Sequence, residues 1–248
     1  MECLGFNKLP EGCVSIILSL TSPPDACKSS LVSPMFRAAA ESDVVWERFL
    51  PADYHDILCR LVEPLVCSSR KELFLRLCDP ILIDGGSKSF RLDKWSGKKS
   101  YLLSARELSI TWSNDPMYWS WRSTPESRFS HVAELRTMCW LEIHGKMRTQ
   151  MLSPNTKYGA YLIMKISNRA YGLDLMPSEI SVEVSNSTQS SHVRGEMKMG
   201  GWSLSLETSL NGEGDEEVRM SLREVKGYHL KAGLIIEGIE VRPKDSRK

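Results

Sequence analysis

The hydrophobic period of this 248-residue chain changes near residue 88, and this change limits the possible fold more than any other feature of the sequence. Before it, apolar residues recur every three or four positions, as on the buried face of a helix. After it, apolar and polar residues alternate, as in a strand with one buried face. Because Asp84-Gly85-Gly86-Ser87 is a turn signal at this point, we expect a helical domain followed by a β-rich domain.

Three short helices are predicted within residues 1–51. Pro10 suits the first turn of one helix, Ser22 is a candidate N-cap for the second, and Ser42-Asp43 opens the third. Pro34 is expected to end or kink the second helix. A domain this small lacks the interior volume to bury all of its aliphatic side chains. Some of them are therefore expected to face a partner, although the core of an ordinary helical subdomain would produce the same periodicity.

Three motifs follow one another in this region. Leu9-Pro10 stands at the start, Leu31-Val32-Ser33 in the middle, and the segment 45–51 (Val-Trp-Glu-Arg-Phe-Leu-Pro) at the end. Their order resembles an F-box. The resemblance implies a module that connects a substrate receptor to the Skp-type adaptor and the cullin of an SCF-type ubiquitin ligase. It also implies that seven residues lie at or behind the adaptor-binding surface: Leu9, Pro10, Ile16, Ile17, Leu31, Val32 and Trp46.

Residues 52–88 are predicted to form a helical connector. Asp53 to Val62 is amphipathic, and Ser69-Arg70-Lys71-Glu72 is a capping-box pattern that opens a second short helix. Asp79-Pro80 is expected to close that helix. A short strand over Ile81-Leu82-Ile83 belongs either to the end of the connector or to the start of the next domain.

Residues 89–248 are predicted to form an antiparallel β-sandwich or jelly roll, which makes the fold class multidomain α + β. The turn Asn211-Gly212-Glu213-Gly214 supports this prediction, and one helix is expected near Pro125 to Arg136. The apolar positions that alternate are Leu108, Ile110 and Trp112; Leu141 and Ile143; Ile180, Val182 and Val184; Trp202, Leu204 and Leu206; and Val218, Met220 and Leu222.

Charge and cysteine content narrow the class of partner and the compartment. A net charge of +1 argues against nucleic acid as the main partner, and no apolar run approaches membrane-spanning length. Seven cysteines without a Cys-x-x-Cys pair are expected to be reduced and mostly buried. With no secretory signal at the start, we expect a protein of the cytoplasm and nucleus.

No pattern typical of an enzyme is present. Glycine-rich phosphate loops, His-Glu-x-x-His and Gly-x-Ser-x-Gly are absent, and the five histidines are scattered. The acidic stretch Asp215-Glu216-Glu217 lacks the alternating ligands of a calcium loop and is expected to be a solvated hairpin tip. We therefore predict a chain without catalysis, metal or cofactor.

Aromatic residues concentrate in one place. Trp112, Tyr118, Trp119 and Trp121 lie within ten positions around the turn Asn114-Asp115-Pro116. Rings on a loop or strand end are expected to be exposed, Trp119 among them, and a flat ring offers the apolar face of a sugar a stacking surface. Alternation alone would instead place Trp112 in the core, so both interpretations of this residue remain open.

Five blocks of the β-rich half carry a second resemblance. In chain order they cover residues 104–112, 118–121, 133–135 with 139–143, 152–158 and 233–243. They are similar to the plant phloem lectins, also called phloem protein 2 or Nictaba-like proteins, over about residues 89–244. The resemblance implies a jelly-roll lectin that binds N-acetylglucosamine oligomers or the core of N-glycans. The binding residues that it implies are Trp112, Trp119, Glu217 and Glu224.

Together these features predict a substrate receptor of an SCF-type ligase whose lectin-like domain holds a glycan or glycoprotein target. Two alternatives stay open. The β-rich domain could recognise a protein surface without carbohydrate, in which case its tryptophans belong to the core. The chain could also be a lectin of stress or defence for which ubiquitination is incidental.

Overall fold

The computed structural model describes residues 9–176, 178–184, 191–194, 204–208 and 215–244. The chain divides into two compact units. The helical unit comprises Met1–Ile81 and Arg91–Lys99, and the sandwich unit comprises Leu82–Phe90 and Ser100–Lys248. None of the described helices is long and apolar enough to cross a membrane. The domain limits expected from the sequence, at residues 51 and 88, stay predictions.

The described part of the helical unit contains six α-helices. Serine side chains cap three of them: Ser22, Ser33 and Ser69 accept hydrogen bonds from backbone N–H groups three residues further along. The helices are α1 Glu11–Ser19, α2 Pro23–Ser29, α3 Pro34–Glu41, α4 Asp43–Phe49, α5 Tyr54–Cys59 and α6 Arg70–Cys78.

Pro34 begins a helix, so the expectation that it ends or kinks the second helix is wrong. Proline lacks a backbone N–H, but the N–H of the first helical position has no acceptor within the helix, and the ring already holds φ near its helical value. Ser33 completes the start by accepting from the N–H of Phe36 at 3.3 Å. Residues 9–51 therefore form four helices rather than three.

Aromatic rings form the core of the helical unit. Trp46 contacts Phe49 and Phe74 with ring centroids 5.6 and 5.3 Å apart, and its indole N–H donates to the carbonyl of Ala40 at 2.7 Å. Gly97 has a φ of +67°, and a Cβ there would lie 2.7 Å from the carbonyl oxygen of Phe49. The turn that contains Gly97 thus packs closely against α4 because it carries no side chain at this point.

The six described cysteines are free thiols, but the expectation that most are buried is wrong. Cys13, Cys27 and Cys59 are exposed, and the other three are half-buried. In α1 the buried face is occupied by Val14 and Leu18, which turns the neighbouring Cys13 outward. Burial raises the pKa of the Cys78 thiol to about 12.

The sandwich consists of two antiparallel sheets, which confirms the predicted α + β fold class. The first sheet contains β1 Ile81–Ile83, β2 Lys88–Leu92, β3 Lys99–Ser104, β5 Trp119–Arg122, β6 Val132–Leu135, β8 Tyr158–Tyr171, β11 Leu204–Thr208 and β13 Ala232–Pro243. The second contains β4 Ser109–Ile110, β7 Leu141–Arg148, β9 Glu179–Val184, β10 Ser191–Arg194 and β12 Glu217–Glu224.

Strand β13 organises the first sheet. It pairs with β8 along one edge, while β3 and β6 follow one another along its other edge. Strand β12 has the same central place in the second sheet, between β7 and β9. The two sheets face each other closely, because a Cβ at Gly145 of β7 would lie 2.9 Å from a methyl group of Ile239 of β13.

The alternation expected from the sequence is confirmed in the second sheet. The predicted apolar positions of β7, β9 and β12 are buried, except that Val184 at the end of β9 is half-buried. Side chains from both sheets meet in the core between them. Trp202 and the turn from Asn211 to Gly214 lie outside the described residues.

Two expectations fail at strand ends. The segment from Pro125 to Arg136 contains no helix; a loop is followed by β6, whose backbone hydrogen bonds with β5 and β13 replace those of a helix. The alternation of Leu108 and Ile110 stops at Trp112, which has a φ of +55° and cannot continue the strand.

Candidate functional site

The first candidate site is a set of exposed apolar residues in the helical unit, here called the aliphatic patch. Its side chains lie on α1, at the two ends of that helix, and in the turn after α2, and helices α1 and α2 contact each other. Leu31 is 80% exposed and Val32 is 69% exposed. The members of the patch are Leu9, Pro10, Ile16, Ile17, Leu20, Leu31 and Val32.

Helix geometry explains why part of this patch is exposed. The buried face of α1 is formed by Val14 and Leu18 with two serines, so Ile16 and Ile17 point away from the unit's core. Trp46 is 1% exposed and belongs to that core. Six of the seven residues implied by the F-box resemblance are therefore on the surface, and the seventh is buried.

The second candidate site is the aromatic loop of residues 111–118 in the sandwich unit. Two indole groups from β5 anchor it: Trp119 donates to the carbonyl of Thr111 at 3.0 Å, and Trp121 donates to that of Ser113 at 2.9 Å. Trp119 is 2% exposed, so the expectation that its ring is exposed is wrong. Its alternating position in β5 places it in the core, where it positions the loop.

Trp112 is the exposed tryptophan of this loop. Its side chain is 50% exposed and packs against Tyr118, with centroids 5.0 Å apart and ring planes inclined by 30°. A positive φ is uncommon for a bulky residue, and such conformations concentrate at binding sites. The two rings form one aromatic surface that a ligand can reach.

Glu217 and Glu224 are not brought together. They stand at opposite ends of β12, about 24 Å apart for a strand of this length. They also point to opposite faces of the sheet. Glu217 lies on the outer face, where its carboxylate pairs with Arg219 at 2.7 Å and Lys146 at 3.7 Å.

Glu224 is buried in an ion pair. Its carboxylate lies 3.0 Å from the ammonium of Lys231, which is itself fully buried and donates to the carbonyl of Cys139 at 2.7 Å. Burial raises the pKa of the Glu224 carboxyl against the opposing effect of Lys231. In this conformation the side chain supports the fold and does not face a ligand.

Glu142 is the carboxylate that the sequence argument missed. It lies on β7 opposite Thr111, whose N–H donates to the Glu142 carbonyl at 3.1 Å. Its carboxylate accepts from the indole of Trp140 at 3.3 Å and contacts His144 at 3.1 Å and Arg223 at 3.0 Å. The signal that could have found it is the outward parity of Trp140 and Glu142 around the buried Leu141.

The pKa of the Glu142 carboxyl lies below its usual value. Partial burial opposes ionisation, but hydrogen bonds from Trp140 and His144 and the charge of Arg223 outweigh it. Trp140 is 41% exposed. We call Trp112, Tyr118, Trp140 and Glu142 the aromatic edge, since Tyr118 packs on Trp112, Thr111 next to Trp112 pairs with Glu142, and Trp140 bonds to the Glu142 carboxylate.

The aromatic edge combines exposed ring faces with a fixed acceptor, an arrangement that can bind a sugar ring and orient its hydroxyl groups. Among the residues that the structure describes, no group of three or more histidine, cysteine or acidic side chains could hold a metal ion. The assignment of sugar contacts to Trp112, Trp119, Glu217 and Glu224 stays a prediction.

Comparison with known proteins places both units in families. The phloem protein 2 family matches residues 98–243, and the F-box domain family matches residues 6–48. The chain is 47% identical to the F-box protein PP2-B15 of Arabidopsis thaliana, covering 95% of this chain and 96% of that protein. It is 46% identical to F-box protein PP2-B13 of the same plant, covering 95% and 98%.

A solved structure, the C-terminal CBM6 of LamC from Zobellia galactanivorans, is 12% identical with a TM-score of 0.32, covering 57% of this chain and 98% of that one. A similarity this low carries no argument about the ligand. The two family matches and the two relatives show the family: with its F-box domain followed by a phloem protein 2 domain, the chain belongs to the F-box branch of the plant phloem protein 2 family.

Proposed function

We propose that the chain is a substrate-recognition subunit of an SCF-type ubiquitin ligase. The observation that carries this proposal is the aliphatic patch on a unit that matches the F-box domain. Burial of one such side chain is favourable by about 1.5–3 kcal/mol, so a partner that covers the patch gains affinity from each of them. A Skp-type adaptor, joined to a cullin, is the partner that an F-box implies.

In this proposal the sandwich unit presents the target, and binding rather than catalysis is the chain's contribution. The aromatic edge supports a glycan ligand that contains N-acetylglucosamine. Trp112 and Tyr118 would stack on the apolar face of the sugar, and Glu142 would accept a hydrogen bond from a hydroxyl or acetamide N–H. The proposed compartment is the cytoplasm and nucleus.

The alternative of a target without carbohydrate is favoured by one observation. Trp119 and Glu224, two of the four sugar contacts that the resemblance implies, are buried. If their burial persists when a target is bound, only part of the lectin site is available. A glycan array probed with the full chain separates the two: selective binding to N-acetylglucosamine oligomers supports the lectin function, and no glycan binding supports a protein target.

Adaptor docking is tested by co-purification with a Skp-type adaptor. The double variant Leu31→Ala and Val32→Ala removes two highly exposed members of the patch and should lower capture at least about thirtyfold, as for hot-spot residues. The matched control is Val62→Ala with Val66→Ala, two exposed valines of the connector. Undiminished capture by a folded patch variant, or equal loss in the control, would contradict the docking surface.

A further inference from the structure

A groove crosses the first sheet on the face formed by β5, β6, β13 and β8. Its volume is about 1180 Å³, larger than the roughly 300–1000 Å³ of typical small-molecule sites. The loop after β5 borders it on one side, and residues 163–171 of β8 border it on the other. We call this feature the sheet groove.

The sheet groove and the aromatic edge use opposite sides of β5. Side chains alternate along a strand, so Trp119 and Trp121 reach the loop at Thr111 and Ser113, while Ser120 and Arg122 line the groove. A ligand in the groove would therefore leave the aromatic edge free.

Charges in one part of the groove are already paired. Arg122 of β5 contacts Glu134 of β6 at 2.9 Å, and Lys165 of β8 contacts Glu126 at 3.8 Å. Glu237, at a bulge in β13, accepts from the hydroxyl of Ser127 at 3.2 Å, which ties the bordering loop to the sheet. The charged side chains in this part of the groove are therefore already engaged in ion pairs or hydrogen bonds within the sandwich unit.

The other end has unpaired positive charge. Arg136 and Arg169 line it and are exposed, and the guanidinium group of neither forms an ion pair or hydrogen bond with any residue in the described ranges. They flank the same place, because Tyr171, two residues beyond Arg169, contacts the hydroxyl of Thr137, next to Arg136, at 3.1 Å. Two guanidinium groups thus face solvent at one end of a preformed groove.

We propose that the sheet groove binds an extended acidic peptide segment whose carboxylates or phosphates pair with Arg136 and Arg169. Guanidinium groups favour such anions because they can donate two parallel hydrogen bonds. The stretch 163–171 of β8 lies alongside Gly238 to Ala232 of β13, a span of about 20 Å, which fits six or seven extended residues.

A glycan fits this groove less well than a peptide does. Among the described residues that line it, Tyr171 is the only aromatic one, and its hydroxyl is already bonded to Thr137. Sugar recognition relies on exposed ring faces, which are concentrated at the aromatic edge. The idea that the peptide belongs to a ubiquitination target rests on the proposed function. The idea that the groove binds an acidic peptide rests only on the charges of the groove.

The test is fluorescence anisotropy on the full chain with a labelled octapeptide of alternating Glu and Ser, beside the same peptide with Gln for Glu. We expect the Glu peptide to bind more tightly. The double variant Arg136→Gln and Arg169→Gln should weaken it about tenfold, as expected when charge-assisted hydrogen bonds are lost. Arg148→Gln with Arg219→Gln, on the second sheet, changes net charge equally and should leave affinity within about twofold.

Three results would overturn the proposal. They are equal binding of the Glu and Gln peptides, unchanged affinity in the Arg136 and Arg169 variant, and equal weakening in the control, which would mean general electrostatic attraction. Binding of a galacturonate oligomer in place of the peptide would assign the groove to an anionic glycan instead. Adaptor capture and N-acetylglucosamine binding use other surfaces, so failure here leaves the proposed function standing.

Discussion

The two units expose different kinds of apolar surface. The helical unit exposes aliphatic side chains such as Leu31 and Val32, whereas the sandwich unit exposes rings such as Trp112 and Trp140. Aliphatic groups have no directional chemistry and favour burial against a large complementary surface. Rings next to a carboxylate can orient a small ligand. In the proposed function, the aliphatic surface binds a protein partner and the aromatic surface binds a small, oriented ligand.

Both units nevertheless use a buried tryptophan in the same way. Trp46 of α4 donates its indole N–H to Ala40 of α3, and Trp119 of β5 donates to Thr111 in the loop after β4; each indole thereby fixes a neighbouring stretch of backbone. Each ring is almost fully buried. The comparison therefore separates tryptophans that hold a binding surface in place from those that form one.

The largest expected effect tests this separation. Trp46→Ala and Trp119→Ala should each lower the free energy of unfolding by about 3–5 kcal/mol, because each leaves a cavity and an unsatisfied carbonyl. Thermal and denaturant unfolding of the full chain measure this. A Trp119→Ala protein of unchanged stability that no longer binds N-acetylglucosamine oligomers would show that Trp119 acts as a ligand contact.

A similar loss is expected at Glu224. Glu224→Ala leaves the buried ammonium of Lys231 without its counter-charge, which costs about 3–5 kcal/mol of stability. Glu217→Ala on the same strand removes exposed ion pairs and should cost less than about 1 kcal/mol. Denaturant unfolding of both variants checks the contrast, and equal stability losses would break the distinction between the two carboxylates.

A smaller, ligand-specific effect is expected at Trp112. Trp112→Ala should change stability by less than about 1 kcal/mol and weaken binding of an N-acetylglucosamine trimer about thirtyfold, the loss typical of a hot-spot ring. Tyr228→Ala, which removes a ring that is 97% exposed elsewhere in the unit, is the matched control. Calorimetric titration measures both variants; normal trimer binding by folded Trp112→Ala would remove this residue from the site.

The smallest effect concerns pH. The pKa of Glu142 is lowered in the folded protein, so its carboxylate stays ionised above the ordinary glutamate pKa of about 4.3. Its negative charge is lost only as the pH falls through the lower pKa of the folded state. Trimer binding should therefore change little between about pH 7 and 5 on account of this group. Glu142→Gln should bind more weakly at both pH values. A binding loss centred above the ordinary glutamate value, and absent in Glu142→Gln, would contradict the lowered pKa.

Periodicity predicted the helical and β-rich halves because side-chain spacing follows directly from backbone geometry. The same reasoning missed the helix that starts at Pro34 and placed a helix near Pro125. In the first case a proline and a serine cap start a helix locally; in the second, strand pairing with β13 overrides local preference. Local pattern thus predicts the class of each half, whereas local capping and long-range strand pairing decide individual elements.

The sequence by itself determined the F-box and phloem protein 2 resemblances, the two fold classes and the concentration of aromatic residues, since all of these depend on residue order alone. Tertiary structure alone decided which rings are exposed. Strand parity buried Trp119, a positive φ exposed Trp112, and cross-strand pairing put Glu142 opposite Thr111. Folding also gathered Arg136 and Arg169 at one end of the sheet groove. Burial and neighbourhood depend on contacts between residues distant in the chain, which spacing along the sequence does not encode.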